Sequence, residues 1–145
     1  MKTDLHLPLT NIGTILNRNR TTNWSPHFNA IVVDKYSNKE SFTEKFLVDT
    51  GASITILRAG LSYVFDFSNP VDKVDIYFGD AKPIDFDVYN VNIKIKGIKI
   101  EILAAYKKNV FNSPYSLFGM TKGMDIFQHI VINPKKLDYK LINKY

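Results

Sequence analysis

The stretch Phe46-Leu47-Val48-Asp49-Thr50-Gly51-Ala52-Ser53, continued by Ile54-Thr55-Ile56-Leu57, sets one carboxylate between two apolar runs. The residues before Asp49 read as the end of a buried strand. Those from Ala52 to Leu57, with β-branched Thr55 among Ile54, Ile56 and Leu57, read as a second, short one. Gly51 permits the tight turn between them and a close backbone approach. Upstream, Phe28 to Val33 reads as a strand, Tyr36-Ser37-Asn38-Lys39 as a turn and Phe42 to Val48 as the returning strand, so a β-hairpin delivers the chain to Asp49.

Working outward, residues 1–27 carry Thr10-Asn11, Gly13, Asn17-Arg18-Asn19-Arg20 and Ser25-Pro26, which is turn and loop chemistry, and they read as an N-terminal arm ahead of a domain at 28–145. Residues 58–73 allow a short helical turn and stop at Asn69-Pro70. A loose alternation from Val74 to Val91 surrounds Gly79-Asp80-Ala81, a natural hairpin tip, and Pro83 excludes a central strand position there. The clearest pattern is Val91-Asn92-Ile93-Lys94-Ile95, then Lys96-Gly97, then Ile98-Lys99-Ile100-Glu101-Ile102, with period-two alternation on both sides of a two-residue turn. Met120 to His129 is the best helical candidate. Ile130-Val131-Ile132 and Leu137 to Ile142 close the chain as strands, and the latter alternates in a way that suits pairing across a dimer. No solenoid repeat and no low-complexity segment interrupts this order.

With 145 residues the chain builds one hydrophobic core rather than two. Ile, Val, Phe and Tyr dominate its apolar fraction, which favours strands. There is no cysteine, so disulfides and thiolate metal sites are excluded. His6, His27 and His129 lack ligand spacing, and no metal is expected. The opening Met1-Lys2-Thr3-Asp4-Leu5-His6-Leu7-Pro8 lacks the apolar core of a signal peptide, and no run of about 18 apolar residues marks a membrane span. A cytoplasmic protein is therefore expected. The net charge of +5 comes from lysines scattered along alternating strands rather than gathered in a block, so nucleic acid is not an expected partner.

The context apolar-apolar-apolar-Asp-Thr-Gly-Ala-Ser-apolar resembles the active-site motif of the retropepsin-like aspartic proteases. The likeness extends to a downstream apolar-apolar-Gly element, Leu117-Phe118-Gly119, and spans roughly residues 28–142. Gly123 in Gly123-Met124-Asp125 competes for the place of that glycine; apolar Leu117-Phe118 favour Gly119. The resemblance implies a closed, mainly antiparallel all-β barrel with one short C-terminal helix, in which the Gly element packs under the catalytic turn. It further implies Asp49 as catalytic carboxylate, turn support from Thr50 through its hydroxyl, Gly51 and Ala52, and a flap hairpin for which Tyr77-Phe78-Gly79-Asp80-Ala81 is the best candidate.

Hydrolysis without a metal or a side-chain nucleophile needs a water activated by a base while an acid protonates the peptide. Two neighbouring carboxylates sharing one proton supply both roles, and they titrate as a unit. The chain holds a single Asp-Thr-Gly and no Asp-Ser-Gly, so one chain carries half a site and a two-fold homodimer is expected to complete it. The expected function is an aspartic endopeptidase acting on extended peptides, with no cofactor. The rival is a catalytically silent dimerisation or peptide-binding module of the same fold, with Asp49 capping a turn; a small basic nucleic-acid-binding barrel is the weaker third reading. Asp125 reads as a solvated helix residue, and Ser53 as a structural hydroxyl without a positioned histidine.

Overall fold

The computed structural model describes residues 5–11, 24–65, 67–133 and 138–143. Its strands are β1 (Leu5–Asn11), β2 (Trp24–Val33), β3 (Glu40–Val48), β4 (Thr55–Ile56), β5 (Asp72–Ile76), β6 (Ile84–Ile95), β7 (Ile98–Tyr106), β8 (Ser116–Phe118), β9 (Phe127–Asn133) and β10 (Asp138–Asn143). Six of them close a mixed barrel in the order β6-β7-β4-β8-β3-β2, shut by the pairing of β2 with β6. Pairings β3–β8 and β4–β7 are parallel; the others in the ring are antiparallel. The all-β barrel is as expected. No helix among the described residues is long and apolar enough to cross a membrane.

The alternation around Lys96-Gly97 becomes the β6–β7 hairpin, with Ile95 opposite Ile98. Both turn residues lie in the left-handed region, φ 49° and 79°, the two-residue turn whose twist matches that of the strands. Along β6 the buried residues change parity: Phe86 and Val88 face one way, and Tyr89, Val91, Ile93 and Ile95 the other. Two cores therefore form on opposite faces. The larger holds Phe46, Phe118, Ile93, Ile102, Leu57 and Leu61, with Phe28 stacked on Phe46 at 5.2 Å and edge-on to Phe118 at 5.1 Å. The smaller joins Ile54, Ile56, Ile76, Phe86, Val88 and Ala105.

Two local expectations are corrected, the helix at 120–129 and the open edge of the last strand, and the arm is given a strand. The segment 120–129 is not a helix: one 3₁₀ turn, Met124–Ile126, passes directly into β9. Backbone N–H groups of Met120 and Thr121 donate to the carbonyls of Ala52 and Ser53 rather than staying within a helical turn. The arm contains a strand, β1, which pairs with β2 over Leu9–Asn11 and with β10 over Leu5–Pro8. Its signal was the alternation Leu5, Leu7, Leu9, hidden by Pro8. Finally β10 does not present an open edge for a dimer partner, because β1 and β9 of the same chain occupy its two sides.

A latch joins the barrel next to the Asp49 turn. Glu44 on β3 is only 4% exposed and accepts two hydrogen bonds from Arg58, from Nε and Nη2, each at 2.6 Å. The Arg58 backbone N–H donates to Ser116 Oγ at 3.0 Å, so β3, the segment after β4 and β8 are tied at one point. Hydrogen bonding to Glu44 raises the Arg58 pKa above its ordinary value, against the opposing effect of burial. A cation whose folded pKa is raised contributes stability at every pH below its unfolded value, so this contribution persists through neutral pH. Arg58 is 24% exposed and keeps some water. Removing it strands a buried carboxylate; removing Glu44 leaves a partly hydrated cation. Arg58→Ala is therefore expected to cost about 3 kcal/mol and Glu44→Gln nearer ~1 kcal/mol, as read from urea denaturation; equal costs would contradict the asymmetry.

Candidate active site

Strand β3 runs parallel to β8, with Phe46, Leu47 and Val48 in register with Ser116, Leu117 and Phe118. The ladder carries on into the turn, where the Asp49 N–H donates to the Phe118 carbonyl at 3.1 Å. Two bonds then close the turn: the Ala52 N–H donates to the Asp49 carbonyl at 3.1 Å, and the Gly51 N–H to Asp49 Oδ1 at 2.9 Å. The carboxylate is thus oriented by its own turn and is half-buried. Gly51 is not in the left-handed region; a Cβ on it would stand 3.2 Å from Asp49 Oδ1, so what the turn uses is its small size. Thr50 is exposed at the apex, and the bonds that close the turn come from backbone groups and from the Asp49 carboxylate.

The Leu117-Phe118-Gly119 element lies beneath this turn. A Cβ on Gly119 would fall 2.2 Å from the Ile54 carbonyl carbon and 2.3 Å from its oxygen, so the two segments cross in contact. The Gly119 N–H donates to Thr55 Oγ1 at 3.0 Å, which gives this fully buried threonine its role. Gly123 packs one layer further out: its Cβ would meet the Gly119 carbonyl oxygen at 2.5 Å, and the same oxygen accepts the Met124 N–H at 2.9 Å. Both glycines approach the segment leaving the Asp49 turn: Gly119 meets its backbone at Ile54 and Thr55, and Gly123 meets only the Thr55 hydroxyl, at 3.1 Å from its Cβ position.

A cleft of about 370 Å³ lies between the Asp49 turn and hairpin β5–β6. Its floor is Asp49, Gly51, Ala52, Ser53, Ile54 and Ile56, and Leu117 borders it. Asp75, Ile76, Tyr77, Phe78 and Gly79 line the overhanging side. Within the expected flap, Tyr77, Phe78 and Gly79 therefore reach the cleft. Asp80 and Ala81 are exposed beyond it, past a bend with Gly79 at φ 62°. Phe78 is held by Phe86 and Phe111, with ring centroids at 6.0 and 5.8 Å, so the base of the overhang is anchored in the smaller core. Ser53 was read from sequence only as a structural hydroxyl, and Ile54, Ile56 and Ile76 were not singled out as cleft residues. The signal was available: Ile54 and Ile56 alternate after the turn, as Val74 and Ile76 do before the tip. Among the described residues no group of three His, Asp or Glu side chains is placed to hold a metal.

The glycines separate by what surrounds them. Gly119→Ala meets backbone on a rigid strand and is expected to leave little folded protein. Gly79→Ala has open space and faces only the left-handed backbone, a cost of about 1 kcal/mol. Circular dichroism melts of the two variants test this, and a folded, wild-type-like Gly119→Ala would contradict the packing.

No protein-family model and no curated protein sequence matches the chain. Among solved structures, a retropepsin-like aspartic protease from Rickettsia conorii superposes with a TM-score of 0.55 at 18% identity, covering 98% of this chain and 94% of the other. The simian foamy virus protease in solution matches with a TM-score of 0.41 at 21% identity, over 65% of this chain and 87% of that one. A foamy viral protease-reverse transcriptase bound to an RNA/DNA hybrid matches at 0.39 and 21%, over 63% of this chain and 11% of that one. The conclusion rests on the rickettsial structure, whose likeness extends over nearly the whole of both chains: this protein has the retropepsin-like aspartic protease fold.

Proposed function

We propose that the protein is an aspartic endopeptidase whose site is completed by two copies of the chain, each supplying Asp49. The observation that carries this reading is the placement of the Asp49 carboxylate, aimed by the Gly51 N–H, on the floor of a cleft roofed by a hairpin. Such a cleft accommodates an extended backbone, and its Ile54, Ile56, Ile76 and Leu117 lining suits apolar side chains. Exposed Thr50 beside Asp49 leaves the apex of the turn open to a two-fold mate.

In the dimer two like charges at close range do not both ionise, so one proton is shared between the carboxylates. The ionised oxygen takes a proton from water as the water attacks the peptide carbonyl carbon. The protonated carboxyl stabilises the developing oxyanion by donating to it. Collapse of the tetrahedral species then breaks the C–N bond, with a proton delivered to the leaving nitrogen. No cofactor enters these steps. Gly51 and Ala52 hold the turn, Gly119 fixes its height, and Tyr77 to Gly79 close over the substrate.

Incubation with a mixed peptide library is expected to yield cleavage by the wild type and a loss of at least about a hundredfold in Asp49→Asn. Because each site needs two chains, specific activity rises with protein concentration in the range where ultracentrifugation shows monomer and dimer together. Adding Asp49→Asn protein to the wild type depresses its rate by forming mixed dimers. A folded dimer with no cleavage in either form would overturn the protease reading in favour of a peptide-binding module.

A further inference from the structure

We propose that the outer face of the β5–β6 hairpin, on the side away from the Asp49 cleft, carries a binding site for a small aromatic phosphate. A groove of about 290 Å³ lies there, running from an aromatic floor at Phe67, Tyr89 and Tyr106 to a basic end at Lys73, Lys107 and Lys108. Its size is at the small end of the range for ligand sites, which starts at roughly 300 Å³. The inference is independent of the chemistry at Asp49.

Strand alternation separates the two faces of the hairpin. Ile76, Phe86 and Val88 turn toward the smaller core with Ile54 and Ile56 of the cleft floor, so Lys73, Asp85 and Asp87 stand on the reverse. In register, Lys73 lies opposite Asp87 and Asp87 opposite Tyr106, one row across β5, β6 and β7. On one side of that row Tyr89 lies deeper along β6 and belongs to the larger core. On the other, Lys107 and Lys108 follow the end of β7, level with Asp85. The groove therefore grades from apolar to cationic along its length, which is the polarity of a ligand with a ring at one end and an anion at the other.

Two features set it apart from an ordinary charged surface. The first is Phe67, whose backbone sits at φ 50°, a conformation that a bulky side chain rarely adopts. Its ring is stacked on Tyr106 at 3.6 Å and meets Tyr89 edge-on at 5.0 Å, and the Tyr89 hydroxyl donates to its carbonyl at 2.7 Å. Strained residues held this firmly cluster at ligand clamps and active sites, and this one is only partly buried and lines the groove. The second is that the lysines keep their donors. Lys73 stands 3.9 Å from Asp85 and 4.0 Å from Asp87, and Lys107 3.7 Å from Asp85, all beyond hydrogen-bond range. The hydrogen bond of Lys107 goes to the Asp85 backbone carbonyl at 2.9 Å, and Lys108 is exposed beside it. The two aspartates thus position the ammonium groups without occupying them. Three cations against two carboxylates leave this end of the groove net positive. A phosphate monoester brings three acceptor oxygens to these ammonium groups, and its ring takes the aromatic floor.

Isothermal titration calorimetry with phenyl phosphate, inorganic phosphate and phenol separates the head of such a ligand from its body. Phenyl phosphate should bind at least about tenfold more tightly than either fragment, since only it engages both ends of the groove. Lys107→Ala and Lys108→Ala should each weaken it by about tenfold, the loss of one charge-assisted hydrogen bond. Lys99→Ala, in the β6–β7 hairpin, removes the same charge elsewhere and should leave the affinity unchanged. Circular dichroism confirms the fold, and either groove lysine suffices if the other variant fails to fold. Equal affinity for phenyl phosphate and inorganic phosphate, or an equal loss in Lys99→Ala, would reveal only general attraction to a chain of net charge +5 and overturn the proposal. Absence of binding by phenyl phosphate overturns it as well. Because binding is read without cleavage, neither result bears on the protease reading.

Discussion

Between Gly119 and the peptide joining Ile54 to Thr55 there is no room for a side-chain carbon, and the rest of the site is arranged around that contact. It lets β8 run close under the strand leaving the Asp49 turn. There the Phe118 carbonyl takes the Asp49 N–H, and the Ala52 and Ser53 carbonyls take those of Met120 and Thr121. The turn is consequently suspended between two segments far apart in the chain, and each of its backbone bonds acts on the carboxylate's orientation. A side chain held in this way has little freedom left to lose, which is the physical basis of preorganisation.

The second constraint is the twisting pair β6–β7, which is buried on both faces where the two cores meet. Its Tyr89 to Ile95 face closes the barrel, and its Phe86 and Val88 face carries the overhang. One hairpin therefore connects barrel closure to the roof of the cleft. Phe78 is gripped by Phe86 and Phe111. On either side of it, Tyr77 is largely exposed and Gly79 bends the chain.

Fold class and cleft floor were legible because both are written in short-range pattern: the Asp-Thr-Gly setting, the alternation on either side of Lys96-Gly97 and the apolar pair before Gly119. What misled was pattern overruled by distant partners. Met120, Met124 and Phe127 sit at helical spacing, yet the N–H groups of 120 and 121 are claimed by the Asp49 loop. The pairing of Glu44 was also unreadable. Glu44 turns inward in regular alternation with Phe46 and Val48, and an irregularity in the β2–β3 pairing near Ile31 and Val33 shifts the parity so that Ser41 turns inward as well. Arg58, which answers that charge, arrives from the far side of the turn, and no local spacing announces the pair. Asp80 and Ala81, read from sequence as part of the flap candidate, lie exposed past the bend at Gly79 and do not line the cleft.

The parallel ladder between β3 and β8 joins Phe46 to Ser116 and Val48 to Phe118 across nearly half of the chain's length. Contacts so distant in sequence form late, since their loop entropy must be met before they contribute. During synthesis the Asp49 turn leaves the ribosome long before the segment that supports it. The nascent chain therefore carries its key carboxylate on an unsupported loop until β8 and Gly119 have emerged. A chain that ends before β8 therefore holds the motif without the site.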